Sequence, residues 1–130
     1  GKVVQEGVDV TLIAWGAMIP IVQQAARKAE QQNISCEIID LRTLYPLDQT
    51  LIAESVQKTG RAVVIHEAQY TSGLGAELVA TIQDTSFLYL RAPIERVTGF
   101  DVPVPFFALE EHYLPSAARI LASIEKVVHF

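Results

Sequence analysis

The chain has 130 residues, half of them apolar and 19% charged, which is globular composition and enough chain to bury one sizeable core. A net charge of −5, with ten scattered Lys and Arg residues, argues against general affinity for nucleic acid or a membrane surface, both of which need clustered positive charge. No apolar run approaches the roughly 18 residues of a membrane-spanning helix, no signal-peptide stretch is present, and the single cysteine, Cys36, has no partner for an internal disulfide.

Val8 to Trp15 is a β-branched run without helical period, apolar enough to be a central strand covered on both faces. From Ala17 to Gln32 the period changes: Met18, Val22, Ala25 and Ala29 form one stripe of a helix whose first turn tolerates Pro20. The turn between them, Trp15-Gly16-Ala17-Met18-Ile19-Pro20, keeps only the first glycine of a G-x-G-x-x-G fingerprint and so lacks the backbone approach a dinucleotide needs.

Ile34 to Asp40 reads as a second strand with Cys36 buried in it. Asp40 stands where a ribose-binding acid would stand, but without the glycines it reads as a structural or interface acid. Asp48 is placed to cap a helix running through Lys58, Gly60 to end it, and Arg61 to His66 to form a third strand.

His66-Glu67-Ala68 then falls at the carboxyl edge of the sheet, where open α/β sheets bind ligands. An imidazole beside a carboxylate can move protons near neutrality. No nucleophile or orienting partner accompanies the pair, which favours a hydrogen-bonded subunit contact. The following Tyr70-Thr71-Ser72-Gly73-Leu74-Gly75-Ala76-Glu77 opens a helix with glycines. They either expose backbone N–H groups to an anion or permit close backbone packing.

That helix is expected over Gly73 to Asp84, followed by two extended runs, Phe87 to Leu90 and Ile94 to Thr98. Gly99 to Pro115 looks irregular. Within it a stiff, proline-bearing loop carries Phe100, Phe106 and Phe107, which are either an interface patch or fold back under the last helix. Pro115 is placed to open that helix, in which Ala117, Ile120, Leu121, Ile124 and Val128 recur at helical spacing.

Strand and helix alternate throughout, so the expected fold class is α/β: one three-layer α/β/α domain over residues 1–130 with a mostly parallel sheet of about five strands. The late strand pair is the place for an antiparallel edge. No phosphate-cradling G-x-x-x-x-G-K-[ST], no G-x-S-x-G and no metal-ligand spacing among the three histidines occurs. No catalytic, cofactor-binding or metal residue is therefore assigned.

Taken together, DLRTLYPLD (40–48), KTGRAVVIHEA (58–68), GLGAE (73–77), APIERVTGFDVPVP (92–105) and the closing EKVVHF resemble the C-terminal domain of the β subunit of 2-oxo acid dehydrogenases, the transketolase C-terminal fold. The HEA segment with its glycine-rich helix start is closer to branched-chain (2-oxoisovalerate) enzymes. Bacterial pyruvate dehydrogenases share DLRT, KTGRA and the terminal Phe. The resemblance implies a longer β subunit in an α2β2 enzyme that decarboxylates a 2-oxo acid and acylates lipoamide, in a bacterial cytoplasm or a mitochondrial matrix. It places thiamine diphosphate and magnesium in the complete enzyme, between the α subunit and the other part of the β subunit, with none bound by this domain.

What the resemblance transfers to this chain is assembly work. His66, Glu67, Phe100, Asp101, Phe106 and Phe107 are the candidates for contact with a second β subunit or with the α subunit. Arg91, Glu110, Glu111 and Phe130 are the candidates for docking the peripheral-subunit-binding domain of the lipoamide acyltransferase. Arg91 departs from the pattern, because relatives often carry an acid before the Ala-Pro that is here Ala92-Pro93. A rival reading is a small-ligand regulatory module built on the glycine-led helix beside His66.

Overall fold

The computed structural model describes residues 1–130. Its centre is β2, Val10–Ala14, in which every residue is buried. Such a strand needs partners on both edges and helices on both faces, and the rest of the chain supplies them. β3, Cys36–Asp40, and β4, Ala62–Gln69, flank it in parallel, and β5, Glu95–Gly99, lies parallel outside β4. The sheet is closed on its other side by β1, Lys2–Gln5, antiparallel to β3, giving the order β1-β3-β2-β4-β5.

Side chains alternate across the sheet, so the same strands feed two cores. On one face Val10, Leu12, Ile38, Val63 and Ile65 meet α1, Met18–Glu30, and α5, Ala117–Val128. On the other, Ile13, Ile39 and Val64 meet α2, Gln49–Thr59, and α3, Leu74–Ser86. The helix boundaries follow the local chemistry. The Asp48 carboxylate accepts from Leu51 N at 3.2 Å to cap α2, and Gly60 ends it at φ 72°. Pro20 sits in the first turn of α1, where its missing N–H costs nothing.

The expected three-layer, mostly parallel five-stranded α/β sheet is found, with three local corrections. The antiparallel edge is β1 at the start of the chain rather than the late strand pair, and β1 pairs mainly through its backbone. Its half-buried Lys-Val-Val-Gln carries little periodic signal. Phe87 to Leu90 is not extended: Phe87–Tyr89 is a 3₁₀ turn continuing α3, and Leu88 stays 91% exposed, with no second face to bury it. The stretch Gly99 to Pro115, irregular by sequence, contains a single helical turn, α4, Glu110–Tyr113, after a 3₁₀ turn at Phe107–Leu109. Pro115 stands at the entry to α5 as expected, and the next residue, Ser116, caps the helix, its Oγ accepting from Arg119 N at 3.2 Å.

One buried charge lies within the second core. Glu37 of β3 faces α2, where the Ser55 hydroxyl donates to its Oε1 and the Lys58 ammonium to its Oε2. The Thr11 hydroxyl links Ser55 and Thr59 at 2.8 Å each, so the polar groups form one connected set. Removing only the cation leaves a carboxylate at 2% exposure without its counter-charge. Lys58→Met is expected to lower stability by about 2 kcal/mol, less than the ~3–5 kcal/mol of a fully buried pair because the Lys58 stem reaches solvent. Urea unfolding of both proteins checks this.

Candidate functional site

All four parallel strands point to one edge of the sheet, which carries Trp15 after β2, Leu41 after β3, His66 to Gln69 at the end of β4 and Phe100 after β5. The chain passes from β2 to β3 on one side and returns from β3 to β4 on the other. The switch point therefore lies between the carboxyl ends of β2 and β4, where Trp15 and His66 stack with centroids 5.5 Å apart.

His66, expected at a subunit contact, is instead an interior group at 1% exposure. Its Nε2 accepts the Gly75 N–H at 3.1 Å, so the imidazole caps the start of α3, whose own cap residue, Gly73, has no side chain to do so. An accepting Nε2 fixes the proton of the neutral ring on Nδ1, which is buried without a hydrogen-bond partner. Burial and the positive charge of Arg96 hold the His66 pKa below its ordinary value, keeping the ring neutral.

This arrangement decides the question the glycines posed. A Cβ on Gly75 would overlap His66 Nε2, and one on Gly73 would overlap Gln69 O and crowd His66 Cε1. The glycines serve close packing, and the imidazole itself occupies the N–H that an anion would need. The anion position that the regulatory-module reading places on this N–H is therefore taken by the imidazole. Glu67, next along β4, is exposed and does not join His66 as a proton-transfer pair.

Asp101 ties two loops at this edge, accepting from Thr71 N at 2.9 Å and Thr71 Oγ1 at 2.6 Å, and those bonds hold its carboxyl below the usual range. Arg96 lies over the Tyr70 ring at 3.6 Å and donates to Tyr70 O. Arg119 of α5 sits over the Phe100 ring at 4.5 Å and donates to Thr98 O at 2.7 Å. Phe106 and Phe107 take no such cover and do not fold under α5: they stand 95% and 93% exposed. Beside them Gln69, Thr71, Asp101, Val102 and Val104 line an open depression of about 710 Å³.

At the opposite edge Val79, Phe87, Leu90, Pro93 and Ile94 form an apolar groove of about 660 Å³ that also meets Arg91 and Phe130. The four docking candidates are thus divided. Arg91, lying across Gly60, joins Phe130, whereas Glu110 and Glu111 sit in α4 near the carboxyl end of β5, beside Tyr113 packed on Gly99. They cannot form one patch. The groove's apolar wall has one sequence signal, the run Phe87-Leu88-Tyr89 beyond an amphipathic helix.

The remaining reactive groups are structural. Burial pushes the Cys36 thiol up to about 12, with Asp9 and Glu30 adding to it, so it stays protonated. Asp40 accepts from Arg42 N at 3.2 Å rather than facing an open cleft. No group of three His, Cys, Asp or Glu side chains is placed to hold a metal ion. No helix is long and apolar enough to cross a membrane.

The family model described as "Transketolase, C-terminal domain" matches residues 1–120. The chain belongs to that family. The 2-oxoisovalerate dehydrogenase subunit beta 2, mitochondrial, of Arabidopsis thaliana is 46% identical over 99% of this chain and 36% of the relative. The pyruvate dehydrogenase E1 component subunit beta of Leifsonia xyli subsp. xyli is 42% identical over 96% of the chain and 37% of the relative. A solved split-gene transketolase, an inactive β4 tetramer, superposes with a TM-score of 0.85 at 30% identity, covering 98% of this chain and 41% of that one. This transketolase C-terminal-type chain therefore spans about a third of the length of the curated relatives it matches.

The cap at α3 gives a direct check. Gly75→Ala puts a methyl group into the His66 ring and is expected to cost about 1–3 kcal/mol in thermal or urea unfolding, as overpacking of a tight contact does.

Proposed function

We propose that the chain is the assembly and docking part of the β subunit of a 2-oxo acid dehydrogenase, on the branched-chain side of the family. The observation that carries this reading is the pair of apolar surfaces left uncovered at opposite edges of a well-packed sheet: the Phe106–Phe107 loop and the groove beside Phe130. An exposed aromatic pair on a proline-stiffened loop costs little side-chain entropy to immobilise, which suits a lasting protein contact. Similarity to β subunits of both 2-oxoisovalerate and pyruvate dehydrogenases supports the wider class, and the 46% against 42% identity supports the branched-chain assignment.

In this reading the Phe106 loop contacts a second β subunit or the α subunit, with Phe100 and Asp101 holding the loop in shape. The groove beside Phe130 receives the peripheral-subunit-binding domain of the lipoamide acyltransferase, with Arg91 at its rim. Glu67, Glu110 and Glu111 belong to the first surface by position. Decarboxylation and acyl transfer to lipoamide are the work of the complete enzyme, in a bacterial cytoplasm or a mitochondrial matrix.

The start of α3, the glycine-led place that would suit a diphosphate, does not fit one, because His66 takes the Gly75 N–H there. This reading therefore places thiamine diphosphate and magnesium in the rest of the enzyme and routes no step through this chain.

Two measurements test the surfaces separately. Replacing Phe106 and Phe107 by Ser is expected to shift sedimentation of the α2β2 enzyme toward dissociated subunits while thermal stability of this chain stays within about 0.5 kcal/mol. Unchanged assembly would remove that role. Phe130→Ala is expected to weaken acyltransferase docking by about tenfold or more in calorimetry with the intact tetramer. Undiminished affinity would assign docking elsewhere. Turnover of the complete enzyme with 2-oxoisovalerate against pyruvate decides the substrate.

A further inference from the structure

His66 joins three elements at one point. It stands near the end of β4, its ring stacks on Trp15 at the end of β2, and its Nε2 accepts the Gly75 N–H in the first turn of α3. Neither glycine of that turn can carry a Cβ without striking the ring or the Gln69 carbonyl, so the helix start is built around the imidazole. No other side chain caps it.

We propose that the His66–Gly75 contact is an acid-operated latch, which holds the first turn of α3 closed while the imidazole is neutral and releases it when the ring takes up a proton. The neutral ring offers a lone pair on Nε2 to the Gly75 N–H. The imidazolium has donors on both nitrogens, so N–H faces N–H, and its charge lies against the positive end of the α3 dipole. Both effects have the same sign. The Ala68 backbone is the one neighbour that favours the charged ring, and burial and Arg96 outweigh it.

The groups facing the ring set the direction. From β5 Arg96 opposes a positive charge on it, and from β2 comes only the uncharged Trp15. Asp101, after β5, has its carboxylate taken by Thr71. Glu77 lies in the first turn of α3, and Glu67 of β4 is exposed. None of these acids hydrogen-bonds the ring. The folded pKa is below the ordinary value of about 6.5, so the latch is fully closed above that pH and weakens as pH falls below it.

Opening has a defined reach. Tyr70 to Gly73 lies between the two latched residues, and Thr71 is hydrogen-bonded to Asp101 at the base of the Phe106 loop. Acid therefore loosens both loops of the carboxyl edge together. The inference stands within a single chain and does not depend on the assembly reading.

The test is amide hydrogen exchange by NMR on the ¹⁵N-labelled chain between about pH 7.5 and pH 5, corrected for intrinsic exchange, with ring titration followed in the same samples. Protection at Gly75 and Ala76 is expected to fall by about tenfold as the ring titrates, while β2 amides keep theirs. His66→Gln, whose side-chain carbonyl accepts without titrating, is expected to keep α3 protection flat with pH. Protection that stays constant while the His66 ring protonates overturns the latch. The same loss in His66→Gln also overturns it. If that variant does not fold, the wild-type comparison of ring titration with Gly75 protection decides alone.

Discussion

Everything in this fold answers to the burial of one short strand. Val10–Ala14 exposes nothing, on either face or either edge. A strand that is apolar on both sides cannot be covered by its own hairpin partner. It needs parallel neighbours reached by crossovers, and those crossovers place helices on the two faces. Once β3 and β4 lie on either side of β2, the carboxyl ends of the parallel strands are forced to one edge. Trp15 and His66 then become neighbours although 51 positions separate them in sequence.

The central elements were legible because their signals were strong and local. An uninterrupted β-branched run, a stripe at Met18, Val22, Ala25 and Ala29, an aspartate before a helix and a glycine after it each specify one conformation through short-range physics. β1 escaped because a four-residue edge strand is defined by the neighbour it pairs with, and Lys-Val-Val-Gln alone carries no period. Phe87 to Leu90 misled for the opposite reason. Its bulky apolar residues suit a strand, yet α3 has no stop signal at Ser86, and the chain tightens into another turn before it leaves the sheet.

The edge chemistry was half legible. Position showed that His66 would stand at the carboxyl edge, but not which way the ring would point. That depends on α3 crossing back over β4 close enough for Gly75 to touch it, a tertiary fact that the two glycines only hinted at. Phe106 and Phe107 could not be assigned to solvent or core from the loop alone, since both outcomes use the same residues. The docking candidates share a family pattern and not a place in the fold, and the course of β5 separates them.

That separation fixes a spacing. β5 is five residues long, roughly 17 Å at the rise of an extended strand, and it runs between the edge bearing Phe106 and the edge bearing Phe130. Two molecules held at these ends would share no contact residue and would not compete. The sheet between them would act as a strut that sets how far apart they are carried.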